Sequence, residues 1–226
     1  MKRLCLLLML INMSTILPAQ EDPEPVGILP VSLAALATAA DLVALVRVLD
    51  TDYEYTREFP SGGTAFLRIL IPYKVSRPLE DIIDVYDEGL YEEECYFDNP
   101  TVLEEGRRYL VFLKFSDDVD EQYNGLDQGC KLEVLVQRSG QYALRYPING
   151  ISLADDLSSH VTAMDFQDEY AVLEDEEISP DERNELMANG YLIADDRKFR
   201  YTHGINISEI RKLMGPEGLT LDRSLK

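Results

Sequence analysis

Tryptophan is absent from this 226-residue chain, histidine occurs twice and cysteine three times. Without Trp there is no residue for the buried indole that packs on the disulfide of an immunoglobulin-like sandwich, which argues against that fold. The two histidines, His160 and His203, lie in different segments with no cysteine or second histidine at ligand spacing. That pattern argues against a zinc site and for two ordinary surface or half-buried histidines. Positive charge is also scarce, with 21 Lys and Arg against 42 Asp and Glu and a net charge of -21. So acidic a surface repels nucleic acid and anionic membranes. It suits a basic partner, divalent cations or solubility. Beyond Leu17 no apolar run is long enough to cross a bilayer. A Gly-x-Ser-x-Gly elbow, a phosphate loop and a dinucleotide fingerprint are all missing.

Cysteine usage is read together with the N-terminus. Lys2 and Arg3 lead into an apolar run to Leu17, followed by Pro18-Ala19-Gln20 and then Glu21-Asp22-Pro23-Glu24-Pro25. A charged start, a short apolar core and a small residue before a polar segment predict a secretory signal peptide, residues 1–19. An uncleaved anchor is the alternative. Cleavage after Ala19 removes two positive charges and Cys5, leaving Cys95 and Cys130. Export and an even cysteine count point to a Cys95–Cys130 disulfide, with two separate buried thiols as the alternative. The expected location is the periplasm or the extracellular space, with no membrane insertion once the signal is removed.

Residues 20–31 form an extended polar arm, and a short helix capped by Ser32 follows. Strand patterns come next: Val43–Tyr55, Thr64–Val75 with Leu67, Ile69 and Ile71 inward, and Ile82–Asp87. Pro60-Ser61-Gly62-Gly63 reads as a turn. In residues 107–115, Tyr109, Val111, Leu113 and Phe115 point one way and Leu110 and Phe112 the other. Both faces are apolar, so this strand is expected at the centre of the core. Residues 117–128 read as a polar loop. Strand Cys130–Gln137, a hairpin at Arg138-Ser139-Gly140, and a sixth strand ending at Pro147 follow. From 151 the chain is an acidic extension with short helices. One helix is capped by Ser179, and another runs to Met214. Gly150-Ile151-Ser152-Leu153-Ala154-Asp155 and Gly204-Ile205-Asn206-Ile207-Ser208-Glu209 share the spacing of a helix capping box and predict two similar strand-to-helix junctions, with an internal duplication as the alternative.

The order of pieces carries a resemblance. Ala40-Asp41-Leu42-Val43-Ala44-Leu45-Val46-Arg47-Val48 opens a strand. Tyr73-Lys74-Val75 precedes Pro78-Leu79-Glu80. A cysteine, then Gly106-Arg107-Arg108-Tyr109-Leu110-Val111-Phe112-Leu113, then Gly129-Cys130 follow. Residues 33–137 thereby resemble the netrin-like module, the OB-type barrel of tissue inhibitors of metalloproteinases and of secreted bacterial proteins. The resemblance implies a mainly β fold, an OB-type antiparallel β-barrel over 32–150 with a short N-terminal helix and a C-terminal α/β extension over 151–226. Inhibitors of that family chelate the catalytic zinc of their target through an N-terminal cysteine. Here the cysteine is missing, so the mechanism has no residue to carry it.

Candidate binding residues are Arg47, Tyr53, Tyr55 and Phe59. The three aromatics surround the first hairpin, which borders the usual ligand face of an OB-type barrel. Strict alternation puts Tyr53 and Tyr55 on the face of Arg47. The competing view is a hairpin end packing on its neighbours. Carboxylates are too abundant to single out an acid–base pair, and the acidic runs lack the ligand pattern of a calcium loop. The expected function is therefore an exported, non-catalytic module that binds a protein partner, without cofactor or metal. The alternatives are an exported hydrolase or metal-dependent enzyme with an unidentified carboxylate site, and an envelope-protease inhibitor of different mechanism.

Overall fold

The computed structural model describes residues 29–56, 59–87, 106–116, 122–126, 129–149, 151–215 and 219. The expected signal peptide and Cys95 lie outside these residues. Helix α1 (Leu33–Ala39) leads into β1 (Leu42–Thr56), β2 (Phe59–Val75), β3 (Ile82–Asp87), β4 (Arg108–Ser116), β5 (Gln122–Gly125), β6 (Lys131–Val136) and β7 (Tyr142–Arg145). β1 pairs with β2, β2 with β3, β3 with β5, β5 with β4, and β4 with β1 again. That circuit closes a five-stranded barrel of OB type. Its pairs are antiparallel except β3–β5.

Alternation along β4 explains why it is central. Tyr109, Val111 and Leu113 fill the barrel with Leu42, Ala44, Val46, Val48, Leu67, Ile83 and Val85. Leu110 and Phe112 point outward into a second core. There they meet Leu33, Leu36 and Ala37 of α1 and Ile205, Ile210 and Met214 from the C-terminal segment. β4 contacts β1, β5 and β6 at once. A strand apolar on both faces is what such a position requires.

Three sequence expectations are corrected. The polar stretch 117–128 contains β5, whose Tyr123 inserts into the barrel and closes it. The Pro60–Gly63 turn is instead paired strand: Tyr55 faces Pro60, Glu54 faces Gly62 and Tyr53 faces Gly63. Gly63 adopts φ +150, and a Cβ there would lie 2.3 Å from the Asp52 carbonyl oxygen, so the glycine serves close backbone approach rather than a turn. Third, β1 and β2 slip by one residue between Leu45/Ile71 and Val46/Ile69. The bulge sends Ile71 to the outer core while Ile69 stays against the barrel interior.

The C-terminal segment adds β8 (Thr162–Ala163), β9 (Val172–Leu173), α2 (Pro180–Ala188), β10 (Leu192–Asp195), β11 (Lys198–Tyr201), β12 (His203–Asn206) and α3 (Ile207–Leu213). β12 extends the barrel sheet by pairing with β7, and β9, β10 and β11 form a separate small sheet. Ser179 and Asn206 cap α2 and α3, as their spacing predicts. The matching pattern at Ser152–Asp155 starts no helix. The Asp155 carboxylate accepts the Leu33 amide at 2.7 Å, capping α1 from across the chain, and Val31 bridges Leu153 beside it. Asp155→Ala should lower stability by about 1 kcal/mol. A chemical-denaturation midpoint equal to that of the parent would refute the cap.

Candidate binding face

The outer surface of β1, β2 and β3 is built from the residues between the barrel-filling ones. Cross-strand partners share a face. Arg47 stands opposite Arg68 on one side and Arg108 on the other, and Arg68 stands opposite Ile82. The result is a row, Ile82–Arg68–Arg47–Arg108, running across four strands. One step toward the hairpin the row is Asp84–Phe66–Asp50, and the next is Tyr86–Thr64–Asp52. Asp50, Asp52 and Asp84 are exposed. So are Ile82, at 42 %, and Tyr86, at 36 %.

Charge pairing separates these arginines. Arg108 is bonded to Asp168 at 3.0 Å. Asp168 also accepts the amides of Val136 and Tyr170. Arg47 and Arg68 are exposed and form no ion pair among the described residues. One Arg47 Nη lies 3.3 Å from where a Cβ of Gly106 would sit, a turn residue with φ +96. Arg47 and Arg68 are thus two exposed cations side by side on adjacent strands, with no ion pair among the described residues.

Arg47 lies at the middle of the arginine row. Tyr53 does not share its face: a bulge between Val48 and Asp50 shifts the alternation, and Tyr53 packs against the barrel interior. Tyr55 is 45 % exposed near the end of the hairpin ribbon. The Phe59 backbone pairs with Thr56, and its side chain lies outside the description. Cys130 is fully buried just before β6, where its carbonyl accepts the Phe112 amide at 2.8 Å. Sequence reasoning named neither Arg68 nor Arg108 as a site residue. Each sits next to inward-facing apolar residues, as Arg47 does, and that shared pattern was the available signal.

Among the described residues, two clefts lie away from this face. One, of about 290 Å³, has walls from Ile148, Ile151, Leu153 and Leu157 and two carboxylates, Asp155 and Asp156. Both acids are committed: Asp155 caps α1, and Asp156 accepts the amide and hydroxyl of Ser158 at 3.0 and 2.6 Å. Those bonds hold the Asp156 carboxyl below the usual carboxylate range, the wrong direction for a proton donor near neutral pH. The other, of about 330 Å³, collects Arg107, Tyr170, Glu174 and Lys198. Lys198 pairs with Glu174 there, and Arg107 stacks on Tyr170 while bonding Glu133. Among the described residues no group of three His, Cys, Asp or Glu side chains is arranged to hold a metal ion. No described helix is long and apolar enough to cross a membrane. No family model, curated protein or solved structure matches the chain.

Proposed function

We propose that this chain is an exported, non-catalytic binding module of netrin-like type whose partner is a protein docking on the outer face of β1, β2 and β3. The observation that carries the reading is the coexistence on that face of exposed Ile82 and Tyr86 with Arg47 and Arg68, two cations that form no ion pair among the described residues. Charged groups of this kind set specificity and encounter rate, and the apolar ones supply contact area. The barrel order and the helix before β1 support the netrin-like assignment. The signal-like N-terminus supports export, and export supports a Cys95–Cys130 bond. Two measurements test the reading. Mass spectrometry of the exported protein should find a chain beginning near Gln20 with no alkylatable thiol, and a full-length chain with free thiols would overturn the compartment. Partner capture from the exported fraction should fail for Ile82→Asp/Tyr86→Asp, and capture undiminished by that variant would overturn the face.

A further inference from the structure

The arginine row is bordered on its two sides by different surroundings. Toward the α1 end, Val43, Leu45, Leu110 and Phe112 occupy the outer face and are buried under helices. Toward the hairpin, the next outward positions bring Asp84 and Asp50, then Asp52. Neighbouring strands are about 4.8 Å apart, and successive outward residues of one strand are about 6.8 Å apart. Among the described residues the exposed positive charge of this face is therefore confined to Arg47 and Arg68, on strands about 4.8 Å apart, with negative charge beginning about 7 Å to one side. An extended polyanion such as a nucleic acid or a sulfated polysaccharide would cover both zones and meet Asp50, Asp52 and Asp84. A uniformly basic segment would meet Arg47 and Arg68.

We infer that the ligand of this face is an extended, mixed-charge segment of a basic protein, with one acid over Arg47 and Arg68 and lysines or arginines two and four residues away over the aspartates. This inference rests on the reading of the face as a docking surface and specifies its partner. The side-chain period of an extended segment equals that of the strands beneath it, so an acid-x-base-x-base pattern places every charge over its opposite. The net charge of -21 attracts a basic protein as a whole, while the arginine row selects where its acid lands.

The probe is a short synthetic peptide with a Glu-x-Lys-x-Lys core, titrated into the full chain at low ionic strength and followed by NMR. Shifts should concentrate on β1 to β3 and weaken with added salt. A peptide of equal composition with the glutamate between the lysines should bind at least about tenfold more weakly, as should the parent peptide to Arg47→Ser/Arg68→Ser. Both arginines are exposed, so that variant should keep the parent's unfolding midpoint. Equal affinity for the two peptides would overturn the inference, as would displacement of the peptide from Arg47 by inorganic phosphate alone. Partner capture separates this failure from failure of the docking face. Capture that survives Arg47→Ser/Arg68→Ser but is lost in Ile82→Asp/Tyr86→Asp removes the charge pattern and keeps the face. Capture that survives both removes the face.

Discussion

A chain ending at Asn149 should fail to fold cooperatively, although every strand of the barrel lies before that residue. Composition divides the chain near 150, where the acidic segment begins. Packing crosses that line. Ile205, Ile210 and Met214 are at most 1 % exposed and sit in one cluster with Leu36, Phe112 and Leu144. β12 covers the edge of β7, with Ile205 opposite Leu144. Leu135 and Ala143 of the same sheet are buried against Phe166, Ala171 and Tyr201. Burying a large apolar side chain stabilises by about 1.5–3 kcal/mol. Losing three from one cluster, together with Phe166 and Tyr201 from another, approaches the 5–15 kcal/mol typical of a whole domain. The truncated chain is therefore expected to lose its sigmoidal denaturation curve and to bind hydrophobic dye. A sharp transition at the parent's midpoint would make 151–226 an independent appendage.

What could be read in the sequence follows from how local the cause was. The two-sided burial of β4 was legible because Tyr109, Val111 and Leu113 alternate with Leu110 and Phe112 inside one short window. The caps at Ser179 and Asn206 were legible for the same reason, since a cap and its amide are near neighbours in the chain. β5 was not legible. Its residues, Gln122-Tyr123-Asn124-Gly125, carry one apolar side chain, and their strand state comes from β3 and β4 on either side. The role of Asp155 was hidden because its partner amide is 122 residues away. The proposed binding face was half legible. Arg47 was singled out correctly as an outward cation, but its relation to Tyr53 was inverted. Period-two reasoning holds only until a bulge, and nothing in Val48-Leu49-Asp50 marks one. Arg68 and Arg108 join Arg47 only through the register of three strands, which no local window contains.

Glu133→Ala should be among the most destabilising single substitutions in the protein, at about 3–5 kcal/mol. Glu133 lies on β6 opposite Tyr109, on the sheet face that continues the barrel interior. Its two carboxylate oxygens are divided between two cations: one takes Arg107 at 2.9 Å and the other Arg145 at 2.8 Å. Arg145 also donates to the Tyr201 hydroxyl and is only 8 % exposed. Burial pulls the Arg145 pKa down, but Glu133 and Tyr201 outweigh it, so the guanidinium stays charged. Arg145 thus cannot escape by losing its proton when the carboxylate is removed, and the cation is left in a site with little water. Replacing Glu133 and the buried cation by apolar residues, as in Glu133→Leu/Arg145→Met, removes the buried charge along with its counter-charge and leaves only the half-buried Arg107 without this carboxylate. That double variant should recover most of the loss, a coupling that denaturant titration of the parent, Glu133→Leu, Arg145→Met and the double variant would measure directly. The exposed pair Arg138–Asp165, with side chains 71 % and 62 % exposed, supplies the comparison. Asp165→Ala should barely move the midpoint, because water screens both groups. If Glu133→Ala proves no more damaging than Asp165→Ala, the buried cation is not held by this carboxylate. If the double variant is as unstable as Glu133→Leu, the loss lies in packing volume or at Arg107 and not in the buried charge of Arg145.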